Sequence, residues 1–154
     1  IMDLLNIRAV EVTKLAMDGL LERQKAIASN TANSMTDGYQ RKDVAFEDQL
    51  RDIISKDEIR KEIRMQNSVN PLSANAAQKL TREHAIFLNQ RDYNENFKPE
   101  ILGDYSECDY GNGNNVDIEE EMMDMAKTGT QYQIMSSLES KMLTNIAQIV
   151  KGGQ

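Results

Sequence analysis

Residues 24–39, QKAIASNTANSMTDGY, mark the point at which a long helix ends and the chain changes direction. The first half of this stretch has Ala and Ile at helical spacing, whereas the second half is rich in Asn, Ser, Thr, Asp and Gly. These residue types are turn formers, and Asp37-Gly38 is a strong turn dipeptide. The sequence therefore predicts a helix that ends near residue 33 and is followed by a tight turn.

The helix before this turn is predicted to run from residue 3 to residue 33. Its apolar side chains fall on two adjacent stripes at helical spacing, which together form one broad face. Gly19 is the weak interior position, because Gly in a helix costs about 1 kcal/mol relative to Ala. The first stripe consists of Leu5, Ala9, Val12, Ala16, Leu20 and Ile27.

The middle of the chain is predicted to be less regular. Residues 43–66 have a helical pattern, with an outer face of mixed charge that indicates exposure. Residues 67–115 contain nine Asn, both Pro and few apolar residues. For this region we expect loops, a short helix at 73–80 and a small β-hairpin.

Residues 116–151 are predicted to form the second long helix. Asp117 is placed to cap it, with Glu120 three residues later in a capping-box pattern. Lys151 followed by two Gly residues is typical of a helix end. The apolar positions recur about every 3.4 residues, close to the period of a coiled-coil seam. They are Ile118, Met122, Met125, Gly129, Tyr132, Met135, Leu138, Met142, Ile146 and Ile149.

The predicted fold is mainly α, with long amphipathic N- and C-terminal helices in a coiled-coil-like hairpin, a shorter helix and an irregular middle with a small β element. We divide the chain into 1–39 (helix and turn), 40–66 (helical connector), 67–115 (variable polar region) and 116–154 (C-terminal helix), and the first and last form one core domain. Two helices of about 45 Å cannot cover both broad apolar faces on each other. The surplus apolar surface predicts self-assembly or a partner protein.

Composition excludes several classes of protein. The 154 residues carry a net charge of −7 and include one Cys, one His and no Trp. One Cys excludes a disulfide framework, no apolar run reaches the roughly 18 residues that span a membrane, and the acidic balance argues against nucleic acid as a partner. The first residues lack the basic and apolar regions of a secretory signal, so we expect any exit from the cytoplasm to use another route.

The negative charge is concentrated in residues 101–125, which hold eight acidic and no basic residues. This window is either a docking surface for a basic partner or a solvated loop followed by an acidic helix start. His84 and Cys108 lack the neighbours that a metal site or an activated thiol requires. With no nucleophile–base pair and no phosphate loop in the sequence, we expect no catalytic residue, no metal and no cofactor.

The terminal segments resemble the bacterial flagellar axial proteins, the family of rod, hook and hook-associated proteins. Thr31 and Asp37 depart from the N-terminal pattern of that family, which usually has Ile and Pro there. The matching N-terminal residues are Gln24, Ala26, Ile27, Ala28, Asn30, Ala32, Asn33, Thr36, Gly38 and Tyr39. The matching C-terminal residues are Gly113, Asn114, Asn115, Val116, Asp117, Ile118, Glu119, Glu121, Met122, Met125, Ala126, Tyr132, Gln133, Ser140 and Lys141.

Within the family, the chain is most similar to the proximal rod proteins. The chain is too short for a large central domain, and Phe46 and Leu50 follow the turn at the expected distance. Leu80, Thr81 and His84 resemble an element that precedes the variable loop of one of the two proximal rod types. The sister type remains open as an alternative, and so does a soluble helical adaptor or chaperone-like module that forms a discrete complex.

The resemblance implies a structural subunit rather than an enzyme. Its terminal helices would polymerise into the hollow shaft of the basal-body rod, which transmits torque and passes exported subunits. The chain would reach the periplasmic part of the basal body by flagellar type III export without a cleaved signal peptide. The partners implied are other copies of the chain, other rod proteins, the adaptor FliE, the MS-ring and the export gate.

The resemblance also implies which residues matter. The turn motif consists of Asn30, Ala32, Asn33, Thr36, Gly38 and Tyr39, and the C-terminal motif of Gly113, Asn114, Asn115, Val116, Asp117 and Glu121. The expected subunit-interface positions are Val12, Ala16, Leu20, Ile27, Met122, Met125, Tyr132, Met135, Leu138, Met142, Ile146 and Ile149.

Overall fold

The computed structural model describes residues 2–56, 97–104 and 112–152, with side chains from residue 8 onward. In chain order the described elements are helix α1 (Met2–Ala32), strand β1 (Lys42–Ala45), helix α2 over residues 47–56, strand β2 (Glu100–Gly103) and helix α3 (Ile118–Gly152). The prediction of a mainly α fold with long terminal helices and a small β element is confirmed.

The chain divides into two compact units. The first consists of Ile1–Glu47 and Lys98–Gln154, and it contains α1, both strands and α3. The second consists of Asp48–Phe97, in which Ile53 is buried on α2. The contacts that join the two ends of the chain therefore lie within the first unit.

The two long helices pack against each other in an antiparallel hairpin. The end of α1 lies beside the start of α3, because the Nδ2 of Asn114 donates to the carbonyl of Asn33 at 2.9 Å. Farther along the helix pair, toward the start of α1 and the end of α3, a Cβ on Gly129 would lie 3.9 Å from Nε2 of Gln24. The chain directions of the two helices are therefore opposite.

The α3 side of this contact follows a coiled-coil spacing. Apart from Asp124 and Gly129, the side chains of α3 that are not exposed recur in strict steps of four and three residues, and three of them are polar. We call this row the seam; it consists of Glu121, Met125, Thr128, Tyr132, Met135, Glu139, Met142 and Ile146. Met122 and Leu138, which the sequence placed on the apolar stripe, lie beside the seam and are exposed.

The start of the predicted helix at 43–66 was wrong. Residues 42–45 form β1, and α2 begins at residue 47. Asp43 is exposed while Val44 and Phe46 are buried, so the local pattern has the period of a strand rather than of a helix. The helix expected at 73–80, the residues of the Leu80, Thr81 and His84 element, and Cys108 lie outside the described residues.

The two strands form an antiparallel sheet whose partners come from distant parts of the sequence. Lys42 lies opposite Gly103, and Ala45 lies opposite Glu100. The sequence predicted a hairpin within residues 67–115. In the structure, β2 comes from that region, but its partner β1 comes from the segment just after the turn. This pairing ties the segment before α3 to the segment after α1.

The sheet is held on α1 by Val44 and Phe46, which are both buried. The Phe46 ring lies so close to α1 that a Cβ on Gly19 would be 2.5 Å from its carbon atoms. The Arg23 guanidinium covers the ring at 4.8 Å from the centroid, and Nη2 donates to the Val44 carbonyl at 2.6 Å. Gly19, a weak helix residue by propensity, is thus the position where the aromatic ring fits.

Candidate functional site

The turn after α1 is closed by its own backbone and side chains. The N–H of Thr36 donates to the carbonyl of Asn33 at 2.9 Å, and the N–H of Tyr39 donates to the carbonyl of Thr36 at 3.2 Å. Gly38 has a φ of 70°, in the left-handed region that favours Gly. Asp37-Gly38 therefore forms the turn that the sequence predicted.

Asn30 joins α1 to the start of β1. Its side chain is fully buried, its Nδ2 donates to the carbonyl of Lys42 at 2.8 Å and its Oδ1 accepts the N–H of Lys42 at 2.9 Å. The hydroxyl of Tyr39 also donates to this Oδ1, at 3.2 Å. The amide of Asn30 thus satisfies the edge of β1 in the way that a neighbouring strand would.

Asn114 connects the two ends of the chain. Its side chain is 1% exposed, and its Nδ2 lies 2.9 to 3.0 Å from three carbonyl oxygens of the turn, those of Asn33, Ser34 and Thr36. Its Oδ1 accepts the N–H of Val116 at 2.8 Å. One buried amide therefore holds both the turn after α1 and the segment that leads into α3.

The backbones of the two motifs approach each other directly at a pair of glycines. The N–H of Gly38 donates to the carbonyl of Asn112 at 2.9 Å, and a Cβ on Gly113 would lie 3.5 Å from Cα of Gly38. Gly113 has a φ of 74°, and its carbonyl accepts Nε2 of Gln40 at 3.0 Å. Gly at both positions supplies the left-handed conformations on the two sides of this contact.

Asn115 extends the two-stranded sheet by one rung. The N–H of Arg41 donates to its Oδ1 at 2.7 Å, and its Nδ2 donates to the carbonyl of Asp104 at 2.7 Å. The N–H of Asp104 donates to the carbonyl of Arg41 at 2.8 Å. The Asn115 amide is therefore inserted between the strand ends, and it fixes the start of α3 to the sheet.

Asp117 caps α3 as the sequence predicted. Its Oδ1 accepts the N–H of Glu119 at 2.8 Å and that of Glu120 at 3.3 Å. These are two of the donors that a helix start leaves without intrahelical partners. Glu119, Glu120 and Glu121 occupy the first turn of the helix, where the helix dipole favours carboxylates.

A buried ion pair completes the connection between β1 and α3. Nε of Arg41 donates to Oε1 of Glu121 at 2.5 Å, and the Glu121 side chain is fully buried. Nη1 and Nη2 of Arg41 also reach Asp104 at 3.4 Å and Asp124 at 3.2 Å. Among the described residues, Oε2 of Glu121 has no hydrogen-bond partner.

The charge of Arg41 is stabilised by this setting. Burial acts to lower the pKa of Arg41, but the hydrogen bond and the negative charge of Glu121 outweigh burial and raise the pKa above its ordinary value. The guanidinium is therefore a permanent cation among three carboxylates. It offers no group that could act as a general base or a nucleophile.

We call the set Asn30, Arg41, Asn114, Asn115 and Glu121 the polar junction. It brings together the turn motif and the C-terminal motif, which are about 80 residues apart in the sequence. Gln40 and Asn112 contribute further hydrogen bonds, and sequence reasoning singled out neither of them, nor Arg41. Arg41 directly precedes β1. The seam spacing places Glu121 on the buried side of α3, and a buried carboxylate would have predicted a cation beside it.

The other residues of the two motifs have smaller roles. The side chain of Asn33 caps α1 through the carbonyl of Ser29 at 2.8 Å, and the hydroxyl of Tyr39 lies 3.0 Å from Oγ of Ser29. Val116 is buried in the core, and Ala32 is the exposed last residue of α1. The geometry is therefore that of a structural joint, which sets where the two long helices meet.

The expected subunit-interface positions divide into three groups. Ala16, Leu20 and Ile27 are buried in the core of the chain itself. Val12, Met125, Tyr132, Met135, Met142 and Ile146 are half-buried, and Met122, Leu138 and Ile149 are exposed. The exposed group is the part of the predicted interface that the chain leaves accessible.

The described ranges contain no cluster of three or more His, Cys, Asp or Glu side chains arranged to hold a metal ion. Within those same ranges, no helix is long and apolar enough to cross a membrane.

The chain is similar to one curated protein over almost its whole length. It is 24% identical over 144 residues to the flagellar basal body rod protein FlgB of Borreliella burgdorferi, and the match covers 94% of this chain and 96% of that protein. No family model matches the chain. The similarity to the rod protein is therefore distant in sequence but extends over almost the whole of both chains.

Proposed function

We propose that the protein is a structural subunit of the bacterial flagellar basal-body rod, of the FlgB type. The full-length similarity to a FlgB protein supports this proposal. So does the joint between the terminal segments, because the two motifs that resemble the axial family meet there. The proposed role is mechanical and needs no catalytic group.

The observation that carries the proposal is the apolar surface that α3 leaves exposed outside the seam. In most soluble proteins, large apolar residues that a helix exposes outside its packing contact are covered by other polypeptide chains. The large apolar residues that are exposed on α3 outside the seam are Ile118, Met122, Met123, Ile134, Leu138, Leu143, Ile149 and Val150. We infer that neighbouring subunits cover them in the rod, in a hollow shaft that transmits torque and passes exported subunits.

The finer points of the proposal follow from the family. The chain is exported by the flagellar type III apparatus and assembles in the periplasmic part of the basal body. Its partners are other copies of itself, other flagellar rod proteins, the adaptor FliE, the MS-ring and the export gate. The turn motif and the C-terminal motif orient the helices for these contacts.

The experiment is a deletion of the gene, complemented with wild-type and variant genes and examined by electron microscopy of isolated basal bodies. Loss of rod and hook with the membrane ring retained is expected for the deletion. Ile134→Asp with Leu138→Asp places two charges on the exposed apolar side of α3 and is expected to fail to complement. Ser137→Asp adds a charge at an exposed polar position in the same turn and serves as the matched control.

Each outcome decides between the candidate functions. Purified Ile134→Asp/Leu138→Asp protein is expected to keep the helicity of the wild type, because both side chains are exposed. Normal hooks and swimming in the deletion strain would overturn the rod proposal. A fixed dimer or heterocomplex by light scattering, in place of open-ended association, would favour a soluble adaptor or chaperone-like module.

A further inference from the structure

We propose that Asn112 and Gly113 form a site of spontaneous covalent modification, at which the main chain is converted to isoaspartate and the polar junction is loosened. The reacting group is the protein's own side-chain amide, and the co-reactant is water. Asn112-Gly113 is the only Asn-Gly pair among the 154 residues, and it lies at the glycine contact between the two ends of the chain. The proposal does not rest on the rod assignment.

The reaction is an attack by a backbone nitrogen on the preceding side chain, which proximity within one chain accelerates. The nitrogen of Gly113 forms a bond to Cγ of Asn112, the bond from Cγ to Nδ2 breaks, and Nδ2 leaves as ammonia with the proton that the nitrogen gives up. Water then opens the resulting five-membered imide, with its hydroxyl adding to a carbonyl carbon and its proton returning to the nitrogen. Opening at Cγ gives aspartate, and opening at the backbone carbonyl carbon gives isoaspartate.

The structure holds the Asn112 side chain in a conformation that favours this attack. The backbone N–H of Asn114 donates to Oδ1 of Asn112 at 3.2 Å, and this bond folds the amide back toward the peptide that joins Asn112 to Gly113. The same N–H polarises the Cγ carbonyl and stabilises the negative charge that forms on Oδ1 when the nitrogen adds. Gly113 has no Cβ to hinder the approach of its nitrogen.

Exposure and the bonding of the amide nitrogen separate Asn112 from the asparagines of the polar junction. Asn112 and Gly113 are both exposed, so water reaches them, and no described residue accepts a hydrogen bond from Nδ2 of Asn112. In the polar junction, each asparagine Nδ2 donates to a backbone carbonyl and the next residue carries a side chain. These asparagines are Asn30, Asn114 and Asn115. The leaving nitrogen is held in place there, so we expect those amides to persist.

The modification changes the main chain where its two ends touch. Isoaspartate lengthens the main chain by one carbon, and the Asn112 carbonyl that accepts the N–H of Gly38 at 2.9 Å becomes part of a carboxylate beside it. The space for this change is small, because a Cβ on Gly113 would already lie 3.5 Å from Cα of Gly38. The bonds of Asn114 to the turn are therefore expected to weaken.

The test incubates the full-length protein, both folded and unfolded in urea, in mildly alkaline buffer. Peptide mass spectrometry measures the replacement of the Asn112 amide by a carboxyl group, and an isoaspartate-specific methyltransferase measures the isoaspartate. Asn112 in the folded protein is expected to react within about tenfold of its rate in the unfolded chain. An Asn112 that stays intact in the folded protein, under conditions that convert the unfolded chain, would overturn the proposal.

Two comparisons assign the reaction to Asn112. Asn112→Gln keeps an amide but would have to close a six-membered ring, so this variant is expected to lose the isoaspartate. Asp37-Gly38 lies across the glycine contact, but an ionised carboxylate is a poorer electrophile than an amide, and Asp37 is expected to react more slowly. Isoaspartate that maps to residue 37, or that persists in Asn112→Gln, would contradict the assignment.

Asn112→Asp separates the new charge from the change in the main chain. Freshly purified, this variant carries the carboxylate of the products on an ordinary main chain, and its Gly38 amide is expected to exchange hydrogen within about threefold of the wild-type rate. In protein enriched in isoaspartate, this amide is expected to exchange at least about tenfold faster than in the wild type, because the polar junction opens. Equal exchange in the two proteins would show that the modification does not loosen the polar junction.

Discussion

The polar junction and the seam join the same two helices by different means. In the polar junction, buried amides and one buried ion pair bind particular backbone groups at defined distances, such as the three carbonyls around Nδ2 of Asn114. In the seam, half-buried Met, Tyr and Ile side chains make non-directional contacts at coiled-coil spacing. The polar junction therefore specifies one geometry for the helix pair. The seam contributes attraction along α3, from Glu121 to Ile146.

This difference predicts different tolerance to substitution. A buried polar group that loses its partner costs its full desolvation, whereas an apolar contact in a partly exposed seam is lost in proportion to its area. We therefore expect the largest effects at the junction, although it contains fewer residues. For substitutions in the helices, the change in stability is expected to depend on whether there is room for the new side chain.

Breaking the buried ion pair is the largest expected effect. Arg41→Met leaves the Glu121 carboxylate fully buried without a counter-charge and is expected to destabilise the protein by about 3–5 kcal/mol. Chemical unfolding followed by helical circular dichroism measures this loss. The result would show that the junction, and not the seam, dominates the connection between the helices.

The double variant separates charge burial from packing. Arg41→Met with Glu121→Leu removes both charges and is expected to be less destabilised than the sum of the two single variants by at least about 1 kcal/mol. Simple additivity of the two single variants would contradict a direct coupling between Arg41 and Glu121.

Removing the Asn114 amide is expected to have the next largest effect. Asn114→Ala leaves three carbonyls of the turn without this donor and the buried N–H of Val116 without its acceptor, at a cost of about 3 kcal/mol. Asn33→Ala is the matched control, because Asn33 is less buried and its Nδ2 serves one carbonyl. Equal losses for the two variants would show that the turn, rather than its bond to the C-terminal segment, is what matters.

Much of the fold could be read from the sequence because its signals are local. Apolar spacing predicted both long helices to within two residues, and Asp117 and Asp37-Gly38 were correct because caps and turns depend on adjacent residues. The resemblance to the axial family implied which residues of the two motifs matter, and Asn30, Asn114, Asn115 and Glu121 from those motifs meet in the polar junction. Their direct contact with each other was not part of the prediction.

The rest depended on contacts that no local pattern contains. The start of β1 was read as helix because its partner strand comes some 60 residues later, and a four-residue strand has too few residues to show its period clearly. Glu121 was predicted as a residue of the C-terminal motif and as part of an acidic helix start, but its burial was missed because it depends on Arg41 from another segment. Because Glu121, Thr128 and Glu139 occupy seam positions, the apolar pattern alone does not show which side of α3 is buried.

Two glycines, one in each long helix, are expected to respond in opposite ways to substitution by alanine. Gly19→Ala would place a Cβ 2.5 Å from the Phe46 ring, so the ring must move, and a loss of about 1–3 kcal/mol is expected despite better helix propensity. Gly129→Ala meets only the end of Gln24 at 3.9 Å and is expected to gain up to about 1 kcal/mol. Thermal unfolding of both variants measures the difference, and a gain at Gly19 would contradict the close packing of Phe46.

The smallest expected effect is the pH dependence of the ion pair between Arg23 and Glu47, which lies 2.6 Å from Nη2 of Arg23. Burial of the Glu47 carboxyl acts to raise its pKa, but the hydrogen bond from Arg23, together with backbone hydrogen bonds and the charge of Arg23, lowers the pKa below 4.5. Because the folded state holds the proton less tightly than the unfolded state, Glu47 stabilises the fold above about pH 4.5, and this contribution is lost as the pH falls through the folded pKa.

Glu47→Gln removes this pH dependence without changing the size of the side chain. The Glu47 carboxylate is half exposed, so the wild type is expected to exceed the variant by less than about 1 kcal/mol at pH 6. Unfolding curves of the two proteins between pH 6 and pH 3 are expected to converge as the carboxyl takes up its proton. A difference that stays constant down to pH 3 would mean that the Glu47 side chain does not act through its charge. The Arg23 end of the sheet would then be held by packing, as the seam is, and not by this ion pair.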